Sequence, residues 1–301
     1  MNATSVKDRL KNISKETGRG FGDLLITYGL ERTIYRLSIS KYKEKFILKG
    51  GIFYYALYEG NYPRATADID FLAQNIGNDL DTIKTVFQEI LSVEIDEDPL
   101  FYNLETLEVK SITEFKEYHG VNVSVSAFLD RTKIPISIDI GFGDSIYPEK
   151  VRMGFPTLLS NETPEVYAYS LYSSLAEKFE AIVSLGYGNS RFKDFYDIYV
   201  NVSNNNLDGL SLCNAFKETF RHRGTKIDEI VAFEDDFGND SQTIFRWNNF
   251  VKKKRIAVDV TLNQTISLIK KFVSLILKAL KEDSDYTGKW DGETLEWINE
   301  S

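Results

Sequence analysis

The pattern of apolar and polar residues changes its period several times along the chain. Apolar residues recur at helical spacing in five segments, which predicts amphipathic helices over residues 4–17, 20–39, 80–91, 164–185 and 261–280. From residue 93 to 142 the period is two, and every second residue from Ile134 to Ile140 is an isoleucine. This middle section is therefore predicted to be a meander of antiparallel strands.

Residues 46–73 combine an apolar frame with two closely spaced acids. Asp68 and Asp70 flank Ile69, so the period of a strand places both carboxylates on one face. Neighbouring carboxylates repel each other unless a cation or hydrogen bonds compensate. Their hard oxygen atoms suit Mg²⁺, which commonly binds one or two carboxylates together with substrate phosphates. The alternative is that both acids line the polar face of an ordinary half-exposed strand.

A glycine pair and an arginine precede these acids. Gly50 and Gly51 follow an apolar run and stand at the predicted start of a helix, where free backbone N–H groups bind phosphate. Arg64, four residues before Asp68, offers a guanidinium for bidentate contact with phosphate oxygens. Together with the acids, these residues predict a site for a metal-bound nucleoside triphosphate.

Length and composition exclude several classes of protein. The 301 residues suffice for one large domain or two ordinary ones. No apolar run is long enough to span a membrane, and the first residues do not resemble a signal peptide. Cys213 is the only cysteine, so no internal disulfide can form, in agreement with a reducing cytoplasm.

The charge distribution limits where a nucleic acid can bind. A formal net charge of −9 argues against a general nucleic-acid binder, which needs a basic surface to neutralise phosphates. Cations nevertheless concentrate in the C-terminal third, most of all over residues 252–255. An RNA would have to bind there, although such clusters are often no more than solvated faces.

Several spaced segments resemble one known family. They are Leu48-Lys49-Gly50-Gly51, Arg64-x-Thr66-x-Asp68-Ile69-Asp70-Phe71, Ile136-Ser137-Ile138-Asp139-Ile140, Glu177-Lys178 and Arg191-Phe192-Lys193-Asp194-Phe195-Tyr196-Asp197. They are similar to the AbiEii/AbiGii nucleotidyltransferases, the toxin component of type IV toxin–antitoxin and phage-abortive systems, which are related to the MenT toxins. The resemblance spans residues 20–200.

The resemblance implies a polymerase-β-like nucleotidyltransferase fold. We therefore expect an α+β protein, with a mixed or antiparallel sheet and flanking helices, followed by a mostly helical C-terminal domain. The boundary is predicted near the turn-rich segment 156–164, which gives a nucleotidyltransferase core over 1–155 and a helical domain over 156–301. The second domain is expected to contribute Lys178 and Asp194 to the cleft.

The same resemblance implies roles for individual residues. Asp139 is expected to join Asp68 and Asp70 as a third metal ligand and to position the acceptor hydroxyl. Lys178 is expected to neutralise triphosphate charge, with Asp194 orienting it or touching a metal. A solvated lysine is the alternative for Lys178, and an intrahelical ion pair with Lys193 is the interpretation for Asp197.

The implied function is a Mg²⁺-dependent toxin that transfers a nucleoside monophosphate from an NTP to the tRNA 3′ end. The resemblance also implies a cognate antitoxin encoded beside it. Ile52 stands where relatives often have a small residue or Ser/Thr, and Ser137 stands where many have lysine. Because of these two departures, the alternative is that the chain is a catalytically inert relative that binds nucleotide or a partner protein.

Overall fold

The computed structural model describes residues 1–113, 119–159, 162–227, 229–254, 256 and 260–298. Arg255 of the predicted basic cluster lies outside these residues. The chain divides into two compact units: Met1–Asp144 with Lys150–Tyr169, and Ser145–Glu149 with Ser170–Ser301. The division thus follows Tyr169, whereas the sequence pattern placed the boundary between residues 155 and 156.

The first unit combines helices with a sheet. Its helices are α1 (Ala3–Thr17), α2 (Phe21–Ile39), α3 (Gly50–Leu57) and α4 (Leu80–Leu91). Its strands are β1 (Phe46–Lys49), β2 (Ile69–Ala73), β3 (Leu100–Thr113), β4 (His119–Leu129), β5 (Thr132–Phe142), β6 (Val151–Gly154) and β7 (Glu165–Ala168). Asp79 caps α4 by accepting a hydrogen bond from the Thr82 amide.

The strands form one mixed sheet in the order β3-β4-β5-β2-β1-β7-β6. The predicted meander is confirmed, because β3, β4 and β5 are successive antiparallel neighbours. Two pairs are parallel, β2 with β5 and β1 with β7. The α+β class with a mixed sheet is therefore confirmed.

The sheet of the first unit has one strongly apolar face. The isoleucines of β5 lie on it, in register with Ile69 and Phe71 of β2. Helix α2 packs closely against this face: a Cβ atom at Gly29 would lie 2.8 Å from the side chains of Ile134 and Ile136. The alternation predicted from sequence thus anchors the sheet through one face and leaves Asp70 and Asp139 together on the other.

The second unit is mostly helical. Its helices are α5 (Leu171–Leu185), α6 (Phe192–Val202), α7 (Gly209–Arg223), α8 (Asp235–Asn239), α9 (Ser241–Lys253) and α10 (Leu262–Lys281). A small antiparallel sheet in the order β10-β9-β8 consists of β8 (Leu207–Asp208), β9 (Lys289–Asp291) and β10 (Glu296–Ile298). Within the described ranges, no helix is both long enough and apolar enough to cross a membrane.

The predicted helix over residues 164–185 was wrong at its beginning. Residues Glu165–Ala168 form β7, and the helix starts only at Leu171. Val166 and Ala168 are buried while Glu165 is exposed, so the short segment follows a strand's alternation and pairs with β1. Ser170 ends this strand region and caps α5 by accepting from the Ser173 amide.

Candidate active site

Three acids on neighbouring strands meet on the polar face of the sheet in the first unit. Asp70 of β2 lies directly opposite Asp139 of the parallel strand β5. Asp68 lies two residues before Asp70, just ahead of β2, and therefore on the same side. One carboxylate oxygen from each of the three lies within 4.8 Å of the others. All three residues are half-buried, so a ligand from solvent can reach them.

The chemistry of this donor set suits a hard divalent cation. The atoms that converge are carboxylate oxygens, which Mg²⁺, Mn²⁺ and Ca²⁺ prefer over the nitrogen and sulfur ligands of softer metals. The three like charges also repel each other at this separation, and a bound cation relieves that repulsion. The residues present therefore fit the metal that the sequence pattern suggested.

Gly50 leaves the space that the Asp70 side chain occupies. The residue has a φ of +66°, which favours glycine, and a Cβ atom there would lie 1.9 Å from an oxygen of Asp70. The sequence explained this glycine by approach to a phosphate. The structure adds a second reason, since the carboxylate itself lies against the first residue of α3.

Gly51 makes a similar close contact with Arg64 and Thr66. A Cβ atom at Gly51 would lie 3.0 Å from both terminal nitrogens of Arg64 and 3.0 Å from the Thr66 hydroxyl. Arg64 is buried, with 6% of its surface exposed, and its guanidinium lies 5.6 Å from the Tyr62 ring centroid. The structure therefore brings Gly50, Gly51 and Arg64 together with Asp70 around the start of α3.

Two neutral side chains hydrogen-bond to the acids. The Thr66 hydroxyl donates to Asp68 Oδ1 at 3.0 Å, and the Asn122 amide donates to Asp139 Oδ1 at 2.7 Å. Sequence reasoning missed Asn122 as a site residue. The alternation of β4 indicated its face, but only the register of β4 against β5 puts it opposite Asp139.

Lys49 is a further residue that sequence reasoning did not single out. It lies opposite Asp70 in the register of β1 and β2, which continues the row of polar residues across the sheet. Its ammonium donates to Asp144 at 2.9 Å and lies 5.5 Å from the Tyr169 ring centroid. Gly141 lies beside this pair, since a Cβ atom there would be at an ordinary contact distance of 3.4 Å from the ammonium.

The second unit contains its own group of charges, most of them buried. Lys178 of α5 donates to Asp194 at 2.9 Å and approaches Asp197 at 2.7 Å. Arg191 completes the group with a 2.7 Å contact from Nε to Asp194. The side chain of Lys178 is 9% exposed, and those of the two acids 1% or less. Lys178 is thus not the solvated lysine that the sequence left as an alternative.

The electrostatics of this group differ from those of isolated buried acids. Burial alone would raise the pKa of Asp194, but the positive charges of Lys178 and Arg191 outweigh burial and hold that pKa below its usual value. Asp197 was interpreted only as an intrahelical partner of Lys193. Its contact with Lys178 gives it a larger role, and helical spacing could not indicate that partner.

Comparison with known proteins identifies one family. The sequence profile described as "Nucleotidyl transferase AbiEii toxin, Type IV TA system" matches residues 32–263, well over half of the chain. None of the curated proteins matches significantly.

Solved structures that resemble the chain include two at 15% sequence identity, each with a TM-score of 0.47. One is JHP933 from Helicobacter pylori, where the match covers 86% of this chain and 94% of that protein. The other is an H. pylori protein solved as a candidate nucleotidyltransferase, with 86% and 96% covered.

Proposed function

Because the chain belongs to the AbiEii nucleotidyl transferase toxin family of type IV toxin–antitoxin systems, we propose that it transfers a nucleoside monophosphate from an NTP to RNA. The acceptor in this proposal is a hydroxyl group at the tRNA 3′ end, and the reaction takes place in the cytoplasm. The observation that carries the proposal is the convergence of Asp68, Asp70 and Asp139 within 4.8 Å.

In the proposed reaction, the acceptor hydroxyl attacks the α-phosphorus of the NTP. A new P–O bond forms, the bond to the β-phosphate oxygen breaks, and pyrophosphate leaves. Bound by the three acids, Mg²⁺ would neutralise charge on the phosphate oxygens and orient them. Asp139, on the opposite strand from Asp70, is the acid proposed to receive the hydroxyl proton.

The start of α3 supports binding of a triphosphate beside these acids. Helix α3 begins at Gly50, and its N-cap residue Lys49 makes no capping bond with its side chain. The first amide N–H groups of a helix carry partial positive charge and bind phosphate oxygens. Asp70 contacts this helix end directly, so phosphate bound there would lie next to the acids.

Helix α9 supports RNA as the acceptor. Its thirteen residues contain no acid, and Phe245, Arg246, Asn249, Lys252 and Lys253 are all exposed. Phe245, 65% exposed, offers a ring on which a base can stack, while the three cations can neutralise phosphates.

The proposal is tested with purified protein, Mg²⁺, each labelled NTP and total tRNA. We expect label to enter RNA with the wild type, and Asp70→Asn to reduce the rate at least about 10³-fold, since charge stabilisation by metal contributes several kcal/mol. Asp130→Asn is the matched control, because it makes the same change at an exposed turn of the same sheet. Transfer that persists in Asp70→Asn would refute the proposed site.

The alternative function is an inert nucleotide-binding or protein-interaction module. Ile52 and Ser137 are the residues that favour it, since they remove a hydroxyl and a positive charge that relatives often supply. NTP binding without transfer to any RNA would support this alternative. In cells, the toxin proposal requires that wild-type expression arrest growth, that Asp70→Asn not do so, and that a cognate antitoxin gene relieve the arrest.

The RNA acceptor has its own test. Replacing Arg246, Lys252 and Lys253 with glutamine is expected to weaken tRNA binding and to reduce the salt dependence by about two to three released ions. The control replaces exposed Lys15, Lys84 and Lys133 with glutamine, which changes the net charge equally. Equal loss of affinity in both triple variants would show that net charge, and not α9, governs binding.

The predicted phosphate contact of Lys178 and the role of Asp194 remain parts of the proposal. Lys178→Met is expected to reduce transfer, and titration with NTP then separates a binding loss from a rate loss. Because Lys178 is buried among acids, the variant needs a matched stability measurement. Loss of transfer only in proportion to unfolded protein would contradict a catalytic role.

A further inference from the structure

Asn122 makes two hydrogen bonds at the edge of the acidic group. Its amide nitrogen donates to Asp139 Oδ1 at 2.7 Å and to Ser137 Oγ at 3.0 Å. An ionised carboxylate only accepts hydrogen bonds, so the amide must present its NH₂ group to Asp139. The orientation of the Asn122 amide is therefore fixed by chemistry.

The two acceptors lie on the same face of β5. Ser137 and Asp139 are two residues apart, and Asn122 lies directly opposite Asp139 in the register of β4 and β5. One amide group thus spans both residues and uses both of its N–H bonds. Because Asn122 is held at two points, it also limits rotation of the Asp139 carboxylate.

The donor that restrains Asp139 is uncharged. A lysine at position 137, which the family resemblance leads one to expect, would place a positive charge beside the carboxylate. Asn122 and Ser137 instead orient Asp139 and leave its negative charge in the acidic group. One oxygen of Asp139 lies within 4.8 Å of an oxygen of Asp68 and one of Asp70, where the three can share a cation.

We propose that Asn122, braced by Ser137, is a positioning residue that raises the affinity of the three acids for a divalent cation. Groups that hydrogen-bond to metal ligands fix their orientation, and their loss typically weakens metal binding about 10- to 100-fold. This inference rests on the proposed function only for its effect on nucleotide transfer, because cation binding is measured separately.

The experiment measures Mn²⁺ binding from the electron paramagnetic resonance signal of free Mn²⁺. Asn122→Leu keeps a similar shape without the donors and is expected to raise the half-saturating Mn²⁺ concentration about tenfold. Ser137→Ala, which removes only the brace, is expected to raise it about two- to threefold. Ser124→Ala, opposite Ser137 on the same face of β4, is the control and should bind like wild type.

Nucleotide transfer provides the second readout. Asn122→Leu should shift the Mg²⁺ dependence of the rate by the same factor as its Mn²⁺ affinity. A merely structural role would lower the melting temperature without moving the cation dependence. If Asn122→Leu fails to fold, the inference is tested by comparing the half-saturating Mn²⁺ concentrations of Ser137→Ala and Ser124→Ala.

The outcomes separate this inference from the proposed function. Wild-type affinity for Mn²⁺ in both Asn122→Leu and Ser137→Ala, or absence of Mn²⁺ binding by the wild type, overturns the inference. Cation binding that depends on Asn122, without transfer to any RNA, supports the inference and contradicts the proposed function. Transfer that requires Asp70 but is unchanged in Asn122→Leu supports the proposed function and contradicts the inference.

Discussion

The two units each contain a group of aspartates, and the groups are built in opposite ways. Asp68 and Asp139 are half-buried and accept hydrogen bonds from the neutral side chains of Thr66 and Asn122. Asp194 and Asp197 are fully buried and contact Lys178, which offsets their charge from within the protein. The same side-chain type therefore serves two different electrostatic purposes.

The two arrangements differ in how the negative charge of the acids is compensated. A buried acid must have a cationic partner in the fold, because an uncompensated charge there costs several kcal/mol. Asp68 and Asp139 are half-buried and accept hydrogen bonds from neutral side chains, so they keep their negative charge and can bind a cation from solution. The first group is thus suited to binding and the second to holding helices α5 and α6 together, whatever further role Lys178 has.

The largest expected effect comes from removing a charge in the buried group. Asp197→Asn leaves the Lys178 ammonium with one acid fewer, and we expect a loss of about 4 kcal/mol in the free energy of unfolding. Asp68→Asn, in the half-exposed group, should change that free energy by less than about 1 kcal/mol, because it also relieves repulsion. Urea denaturation of both variants measures the difference.

The opposite ranking of the two variants in the free energy of unfolding would contradict this comparison. If Asp68→Asn destabilised the protein more than Asp197→Asn, the acids of the first unit would be structural. Circular dichroism before denaturation establishes that each variant starts from a folded state. Asp130→Asn, at an exposed turn, provides the baseline for the same chemical change.

Much of the first group follows from sequence, because a strand's period fixes the face of each residue. Asp68, Asp70 and Asp139 were assigned to polar faces correctly. The pattern does not determine the register of β4 against β5. Nothing in the alternation of β4 determines that Asn122, rather than Ser124, lies opposite Asp139. The contacts around Asp139 therefore required the structure.

The second group was harder to predict for a different reason. Helical spacing indicates which residues share a face, but it does not identify which charges are buried with a partner on another helix. The contact between Asp197 and Lys178 was missed for this reason. The strand Glu165–Ala168 was missed because four residues are too few to reveal a period before the longer helical pattern begins.

A substitution at Gly50 tests whether the backbone of α3 fixes the position of the Asp70 carboxylate. Gly50→Ala forces a Cβ atom into the position of the Asp70 carboxylate at an unfavourable positive φ, and we expect a loss of about 3 kcal/mol. Gly143→Ala is the matched control: φ is +84°, but nothing lies within 4 Å, so only the backbone cost of about 1 kcal/mol remains. Chemical denaturation measures both.

Activity should separate these two glycine variants further. Displacement of Asp70 in Gly50→Ala is expected to lower nucleotide transfer at least about tenfold under conditions where the protein is folded, because small misplacements of catalytic groups are costly. Gly143→Ala should transfer at nearly the wild-type rate. Similar stability and activity in the two variants would show that Asp70 moves aside without consequence.

Glu31 tests what happens to a buried acid with weaker compensation. Burial raises the pKa of Glu31 to about 7, although the Leu158 amide donates to it and Arg32 opposes the shift. A raised pKa favours the protonated folded state, so the stabilising effect of protonation is fully present below about pH 4.5 and is lost as pH rises through 7.

Glu31→Gln removes this titration while keeping an acceptor for the Leu158 amide. We expect the variant to be more stable than wild type by about 2 kcal/mol at pH 8 and nearly equal at pH 5, since a shift of one pKa unit corresponds to 1.36 kcal/mol. Urea denaturation at the two pH values measures this. A variant that is less stable than wild type at pH 8 would indicate that the Glu31 charge is well compensated.

The smallest expected effect concerns added cation. A ligand that binds only the folded state at ten times its dissociation constant stabilises that state by about 1.4 kcal/mol. Mg²⁺ or Mn²⁺ should therefore raise the melting temperature of wild type, and Asp139→Asn should abolish the rise because one of the three ligands is lost. Asp197→Asn should keep it, since Lys178 and Asp194 still compensate each other in that variant. A rise that survives in Asp139→Asn but disappears in Asp197→Asn would reverse the assignment, and the cation would then belong to the second unit.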